Sequence, residues 1–445
     1  MRNPDKRPPL KKFPKEPRGY VGLILSIEQH NESPLSRATI IIDAVQANFD
    51  PALVNEPVRT WDRQNLALLR IMTTAKRFSK MASLESPDDA EGEEDLAGRW
   101  VDIQLVPAGK ISGPRAQVCR LGENGFEELE NFTVATITQF GSEPEEPRSL
   151  SAAAGSGAVL ASKLAKRRGL PGTKIETTAS NHALLRLARS ICKSDFEKVI
   201  IHDVGHASFT TLIGSSGKAI MHFDAGWPIP FNAKTCPPTD PAPKFAEMVF
   251  LSHWDWDHLH GYHRWKLLQK SFWIVPDQPL GPNAEFVVEE LKAAHRLIRI
   301  PPIPSKEYSF GPLTLGQANP MAVSGKSKRR NNSGLVISVR LANGKTALMT
   351  GDADYVAIQP SVLRRVNLLV VPHHGAEVLG KIPVPHIGPS PLAVVSMGAG
   401  NCYQHPSVPN IERHQNAGWG TISFTSVPPT TIGYAHVARG DKTLA

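Results

Sequence analysis

Four side chains of the kind that hold divalent cations fall within six positions: His253, Asp255, Asp257 and His258, in the run FLSHWDWDHLHG at 250–261. Imidazole nitrogens and carboxylate oxygens bind such ions at about 2 Å, and a polar turn that merely caps a helix has no need of four of them. A second run, KTALMTGDADY at 345–355, ends an apolar stretch in Thr-Gly-Asp and delivers Asp352, where one carboxylate can bridge two ions. A third, NLLVVPHHGA at 367–376, sets His373 and His374 after another apolar stretch. A fourth, AVVSMGAGNCYQHPS at 393–407, delivers His405 in the same way. A Gly-Asp turn after a strand is common and means little alone. Four successive strands that each end in a metal-competent residue are harder to attribute to chance.

A sheet is what must position these groups. From Val199 onward strands and turns alternate, and 14 of the 16 histidines lie at position 202 or later. Histidine serves mainly in acid–base work and metal binding, so the chemistry belongs to the second half, a catalytic domain over 196–445. Met248–Leu251 reads as a buried strand, and Leu259–Lys270 as a helix with Tyr262, Trp265 and Leu268 toward the core. Phe209–Asp224 predicts a hairpin across Gly214-Ser215-Ser216-Gly217.

The order HxDxDH, TGD, HHG and YxHP resembles that of the metallo-β-lactamase fold. More narrowly, it resembles the metallo-hydrolase domain of the competence protein ComEC and its soluble relatives. DVGHASFTTLI at 203–213, the FDAG turn at Asp224 and NNSGLV at 331–336 extend the resemblance, which covers about 200–420. It implies an α/β (α+β) fold class, an αββα sandwich with one or two divalent ions along one edge. Carried over position by position, it makes His253, Asp255, Asp257, His258 and His374 metal ligands and Asp352 the bridging carboxylate, with His373 and His405 close by. Asp224 then orients ligand histidines by hydrogen bonding.

Two departures from the family pattern stand out. Its DVGxGD is here Asp203-Val204-Gly205-His206-Ala207-Ser208, and its DHxGG ends as His258-Leu259-His260-Gly261. His206 therefore stands either beside the site or in ordinary packing, whereas His222 reads as a core residue and Cys402 as a packing one. The wider superfamily has HxHxDH and a further histidine before the Asp352 position. Here Asp255 replaces the second histidine, and His260, His263 and His295 read as helix residues. One ion is therefore expected in an oxygen-rich, nitrogen-poor site with Asn331 or Asn332 near. Zn²⁺, Mn²⁺ and Mg²⁺ all stay open.

The reaction implied is hydrolysis by a metal-activated hydroxide, with Asp257 orienting the nucleophile and His373 or His405 steadying charge or protonating the leaving group. Two divalent ions, three carboxylates and a hydroxide nearly cancel in charge, so an anionic substrate needs further cations. GKSKRRNNSG at 325–334 supplies Lys326, Lys328, Arg329 and Arg330, with Asn332 beside them, a set suited to phosphates unless it is only a solvated loop. Trp254 and Trp256 suit a wall or core role better than base stacking. The leading expectation is a phosphodiesterase or nuclease acting on nucleic acid. The alternatives are a hydrolase of a small-molecule ester, lactone or phosphorylated metabolite, and a low-turnover module that binds nucleic acid or a partner.

Composition sets the outer bounds. A chain of 445 residues suits two or three domains, and 41% hydrophobic with 21% charged residues excludes wholesale disorder. No apolar run reaches about 18 residues, so no membrane-spanning helix is predicted. MRNPDKRPPLKKF lacks the apolar core of a secretory signal. Four scattered cysteines exclude a disulfide scaffold and a zinc knuckle. A soluble cytoplasmic protein is expected. The net charge of +8 is uneven: residues 1–20 form a basic arm, expected to be flexible, and 84–96 an acidic loop. What remains is a mild pull toward polyanions. The segment 141–158 has linker composition. Residues 21–195 form a mixed α/β N-terminal region without chemical motifs, suited to selecting a substrate or a protein partner. Within it Val21–Ile27, Ala38–Val45, Trp100–Val106 and Phe132–Phe140 read as strands. Leu66–Ala82, Ala161–Gly169 and Asn181–Cys192 read as helices.

Overall fold

The structure is a computed structural model and describes residues 11–12, 14–29, 36–82, 97–139, 160, 163–164, 174–303, 306–323, 329–386, 391–429 and 438–445. Lys326, Lys328, the acidic segment 84–96, the linker 141–158 and nearly all of the helix predicted over 161–169 lie outside the described residues. The chain forms two compact units. One comprises Met1–Leu170 with residues 279–290 and 325–327, and the other comprises the rest.

The first unit is a closed barrel. Its strands are β1 (Lys11–Lys12), β2 (Arg18–Gln29), β3 (Arg37–Gln46), β4 (Leu66–Thr74), β5 (Trp100–Pro107), β6 (Arg115–Gly122) and β7 (Gly125–Gln139). They run in the order β7-β5-β2-β3-β4-β6, all antiparallel, and β6 pairs back onto β7. Closure gives each of the six strands a partner on both sides, and β1 adds in parallel to β7 at Leu129 and Glu130, beyond the reach of β5. The period of two sends Ile40, Ile42 and Ala44 of β3 inward to meet Leu69 and Ile71 of β4 and Ile103 of β5.

The helix predicted over Leu66–Ala82 is a strand for its first nine residues and a helix only over Ala75–Met81. Leu-Ala-Leu-Leu-Arg-Ile-Met carries no period that excludes a helix. Pairing on both flanks, with β3 and β6, decides the matter. Thr74 Oγ1 accepts from the Arg77 amide at 3.1 Å and caps the helix, which puts Ala75 and Phe78 into the barrel core. Asp43 points the other way and is wholly buried. Its carboxylate accepts from the Asn283 amide at 2.9 Å, from Asn283 Nδ2 at 2.5 Å and from the Ala284 amide at 3.3 Å.

The second unit is the αββα sandwich expected of the C-terminal half. One sheet holds β8 (Glu176–Thr177), β9 (Phe196–Ile201), β10 (Thr210–Gly214), β11 (Ala219–Phe223), β12 (Met248–Phe250), β13 (Phe272–Pro276), β14 (Leu297–Ile300) and β22 (Lys442–Leu444), in the order β22-β9-β10-β11-β12-β13-β14-β8. The other runs β15 (Glu307–Phe310), β16 (Leu313–Gln317), β17 (Leu335–Arg340), β18 (Thr346–Met349), β19 (Leu368–Val370), β20 (Leu392–Val395) and β21 (Thr421–Phe424) in sequence order. In each sheet an antiparallel part gives way to a parallel part, β11 to β14 in one and β18 to β21 in the other. Met221, Phe223, Phe250 and Ile274 of the first meet Leu335, Ile337, Met349 and Val370 of the second in one core. Helix Val408–Asn416 covers the outer face of the second sheet through Ile411.

The hairpin predicted over 209–224 forms as β10 and β11, and helix Asn181–Cys192 has the predicted limits. The single helix predicted over 259–270 is instead two short helices, Trp256–Leu259 and Gly261–Arg264, then a turn at Leu268–Lys270. Extended backbone at Trp265 ends the second. Tyr262, Trp265 and Leu268 are nonetheless buried. Among the described residues no helix is long and apolar enough to cross a membrane.

Candidate metal centre

The chemistry-bearing side chains leave the carboxyl ends of the parallel strands, where open α/β sheets form ligand crevices. The loop after β12 carries His253 through His258, and the turn after β18 carries Asp352. His373 and His374 follow β19, and His405 follows β20. Two glycines let the loops close. A Cβ on Gly226 would stand 1.8 Å from the Asp257 carbonyl, and one on Gly351, at φ 56°, would stand 2.4 Å from the Ser252 side chain.

A ring of hydrogen bonds aims the histidines. Asp224, buried at φ 58°, accepts from the Ser252 amide at 2.7 Å and from Ser252 Oγ at 3.0 Å, and its Oδ2 lies 2.7 Å from His258 Nδ1. Ser252 Oγ is 2.9 Å from His253 Nδ1, and His374 Nδ1 donates to the Ser396 carbonyl at 2.8 Å. With each Nδ1 engaged, each Nε2 is left to face the centre. The Nε2 atoms of His253, His258 and His374 are buried and make no hydrogen bond of proper geometry. They face carboxylates instead. His258 Nε2 is 3.1 Å from Asp352 Oδ1, His253 Nε2 is 3.6 Å from Asp352 Oδ2, and His374 Nε2 is 3.2 Å from Asp257 Oδ2.

These spacings fit an ion. Tetrahedral ligands at 2.0–2.1 Å from zinc lie about 3.4 Å from one another. Within the sandwich unit two groups of three potential ligands result, His253–His258–Asp352 and His206–Asp257–His374, the ligand atoms within each lying within 4.8 Å of one another. Orphaned nitrogens, converging carboxylates and this donor set together suit a divalent cation.

The electrostatics are those of a strongly coupled cluster. Burial works against charge on His258, but Asp352 and Asp224 outweigh it and hold the imidazole well above its ordinary value. Burial also works against charge on Asp352, and His258, His373 and His253 outweigh it, so its carboxyl stays well below the usual range. His374 is raised by Asp257 against the effect of burial. His206 and His373 are lowered, chiefly by burial, which keeps both neutral. A neutral imidazole is the form that binds metal.

The predicted site residues divide into three sets. His253, Asp257, His258, Asp352 and His374 converge as described. His373 Nε2 lies 3.6 Å from Asp352 Oδ2, and the His373 and His405 rings are 5.2 Å apart at the less buried side of the centre. Asp255 joins them through Oδ2, 3.4 Å from His253 Nε2, whereas the basic loop behaves otherwise. Asp255 Oδ1 is 2.6 Å from Arg330 Nε, burial opposing and Arg330 outweighing it to bring the Asp255 carboxyl down to about 2. Arg330 Nη2 also donates to the Trp254 carbonyl at 2.8 Å, so that guanidinium is turned inward. Asn332 is wholly buried and ties to Asp354, its Nδ2 donating to Asp354 Oδ2 at 2.9 Å and its Oδ1 accepting from the Asp354 amide at 2.8 Å. Arg329 is exposed.

His206, which sequence reasoning left open between a site role and packing, sits in the centre. Its ring lies 4.5 Å from that of His374 and 5.7 Å from that of His405. The signal that could have found it was a histidine exactly where the family pattern changes. Trp254 and Trp256 are buried, in keeping with a wall or core role.

No family model and no curated protein matches the chain. Among solved structures it is similar to the metallo-beta-lactamase fold protein YhfI from Bacillus subtilis, at 12% identity over 56% of this chain and 99% of that one, with a TM-score of 0.32. It is also similar to Zn(2+)-bound PqqB from Methylobacterium extorquens, at 10% identity over 56% of this chain and 99% of that one, with a TM-score of 0.31. Likenesses at these scores do not bear on the site, which stands on its own geometry.

Proposed function

We propose that the protein is a metal-dependent hydrolase of the metallo-β-lactamase kind, akin to the ComEC-type metallo-hydrolases, and that its substrate is a phosphodiester, most simply in DNA or RNA. One observation carries the reading: three buried Nε2 atoms, each aimed by its own Nδ1 partner, face the carboxylates of Asp255, Asp257 and Asp352 with no hydrogen bond between them. A core built for stability alone would not hold so many unsatisfied polar atoms.

A bound divalent cation, Zn²⁺ or Mn²⁺, supplies Lewis-acid polarisation of the phosphoryl oxygen and makes water acidic enough to attack near neutral pH. His253, His258 and Asp352 would hold it. Asp257, with a fifth of its side chain exposed, stands where water enters and orients the nucleophile, taking up its proton. His373, neutral and equally exposed, donates a hydrogen bond to the charge that develops on the substrate. His405 protonates the leaving group. Asp255, held by Arg330 through Oδ1, fixes the ligand loop and presents Oδ2 toward the ion beside His253. Arg329 and the charge balance of +8 support an anionic substrate, with the N-terminal barrel unit selecting it or a protein partner.

A second reading has an observation of its own. With Arg330 and Asn332 engaged internally, two of the expected phosphate-binding groups are occupied, which favours a smaller ester, lactone or phosphorylated metabolite. A substrate panel separates the two. Chelator-stripped protein reloaded with Zn²⁺, Mn²⁺ or Mg²⁺ is offered single- and double-stranded DNA, RNA, bis(p-nitrophenyl) phosphate and a lactone. Metal-dependent cleavage of nucleic acid is the expected result. Cleavage of the lactone alone selects the second reading, and turnover unaffected by chelation removes both.

A further inference from the structure

We infer that His206 completes a second divalent-cation site with Asp257 and His374, distinct from the site of His253, His258 and Asp352. This rests on the metal-dependent reading above and adds a ligand that the family pattern does not supply.

Both ring nitrogens of His206 are buried with no hydrogen-bond partner, and the residue is 1% exposed. His222, a core histidine of the same unit, engages both of its own, through Thr211 Oγ1 at 2.9 Å and the Lys244 carbonyl at 3.1 Å. Leaving a buried polar group unsatisfied costs about 1–3 kcal/mol, a penalty that an apolar side chain of similar size avoids. The position is also built. The His206 amide donates to Thr235 Oγ1 at 2.9 Å, and that hydroxyl donates in turn to the Asn232 carbonyl at 2.8 Å. Gly398 brings a second strand end against the same backbone, where a Cβ would stand 2.4 Å from the His206 nitrogen. The imidazole is thereby held against His374, whose Nδ1 is already committed to Ser396 and whose Nε2 faces Asp257.

Two imidazoles and one carboxylate make this group equal in donor type to the first. Donors of this kind favour Zn²⁺ or Co²⁺ over Mg²⁺. The partial exposure of Asp257, against the near-complete burial of His253, His258 and Asp352, makes this the more readily exchanged of the two ions.

The test is metal binding by the full chain, independent of activity. Stripped protein is titrated with Zn²⁺ by calorimetry, and its metal content is measured after dialysis. The wild type should take up two ions. His206→Ala should keep one and bind the other at least about 100-fold more weakly, the upper end of what losing a mere supporting hydrogen bond costs. His206→Asp, which keeps a donor, should recover part of that loss, and His222→Asn, which removes an equally buried histidine, should keep both ions. A folded His206→Ala protein that binds two ions with unchanged affinity overturns the inference and leaves the hydrolase reading standing. A wild type that binds no divalent ion overturns both. Should the variants fail to fold, X-ray absorption on the Zn²⁺-loaded wild type decides: two imidazoles per ion on average support the site, and one and a half overturn it.

Discussion

Asp43 in the barrel unit and Asp352 in the sandwich unit are both carboxylates sealed from water, and they are satisfied in opposite ways. Asp43 accepts hydrogen bonds from two backbone amides and a side-chain amide, and so holds its part of the chain together. Asp352 faces Nε2 of His253, His258 and His373, and the first two of these nitrogens are buried with no hydrogen-bond partner. A buried charge with complete partners belongs to the fold. A buried charge among others that lack them is arranged around something further. The difference separates structural from functional acids without reference to any relative.

The comparison can be broken in four ways. Replacing Asp352 by Ala should lower hydrolysis by about 10³-fold, roughly 4 kcal/mol in the barrier, and lower metal content, because it removes the carboxylate that faces His253 and His258. Unchanged turnover and metal content would make Asp352 a structural acid like Asp43. Replacing Asp43 by Ala should destabilise the barrel by roughly 3 kcal/mol, because it strands Asn283 and the amides around it. Hydrogen exchange in β3 and β4 should accelerate accordingly, with metal content unchanged. Saturating Zn²⁺, at a hundred times its dissociation constant, should stabilise the wild type by about 2.7 kcal/mol and leave Asp352→Ala nearly unmoved in a thermal melt.

The mildest effect is that of acid. Burial pushes His222 down to about 3 and His414 down to about 4. Below a pH of about 6.5 the unfolded chain takes up protons at these positions that the fold refuses. Stability is thus fully present above 6.5 and is lost as pH falls toward 4, by up to about 1.4 kcal/mol per pH unit for each histidine. Exchange in the sandwich strands should speed up over that range. Among the described residues the barrel unit has no histidine, so its strands should lack this component, and an equal response in both units would erase the contrast.

Much of the sandwich was legible because its signals are local. An apolar strand followed at once by His or Asp announces both an element and its use, and His253, Asp257, His258, Asp352 and His374 all have that form. Asp255 has it too, with Oδ2 3.4 Å from His253 Nε2, but its Oδ1 also meets Arg330, a partner 75 positions away that no spacing rule connects to it. His206 follows a strand by several residues, inside a stretch with no metal-like spacing, and only the folding together of Thr235, Gly398 and Ser396 gives it a place. The barrel hides itself for a related reason. Leu66–Thr74 is apolar enough for either state, and its identity is set by neighbours on both flanks that are far off in sequence. The αββα layering follows from periodicity and kinship of motif, whereas closure of a barrel depends on β6 finding β7 and leaves no mark in either strand alone.

His373, His374 and Gly375 run consecutively through left-handed backbone, at φ 53°, 52° and 81°. For the two histidines this is an uncomfortable geometry, of order 1 kcal/mol each. Glycine at either place would relax the turn, and a screen for heat resistance alone would therefore tend to select it. The thermally toughest descendants of this chain should be those that have surrendered an imidazole, so directed evolution here needs to select for catalysis and endurance together.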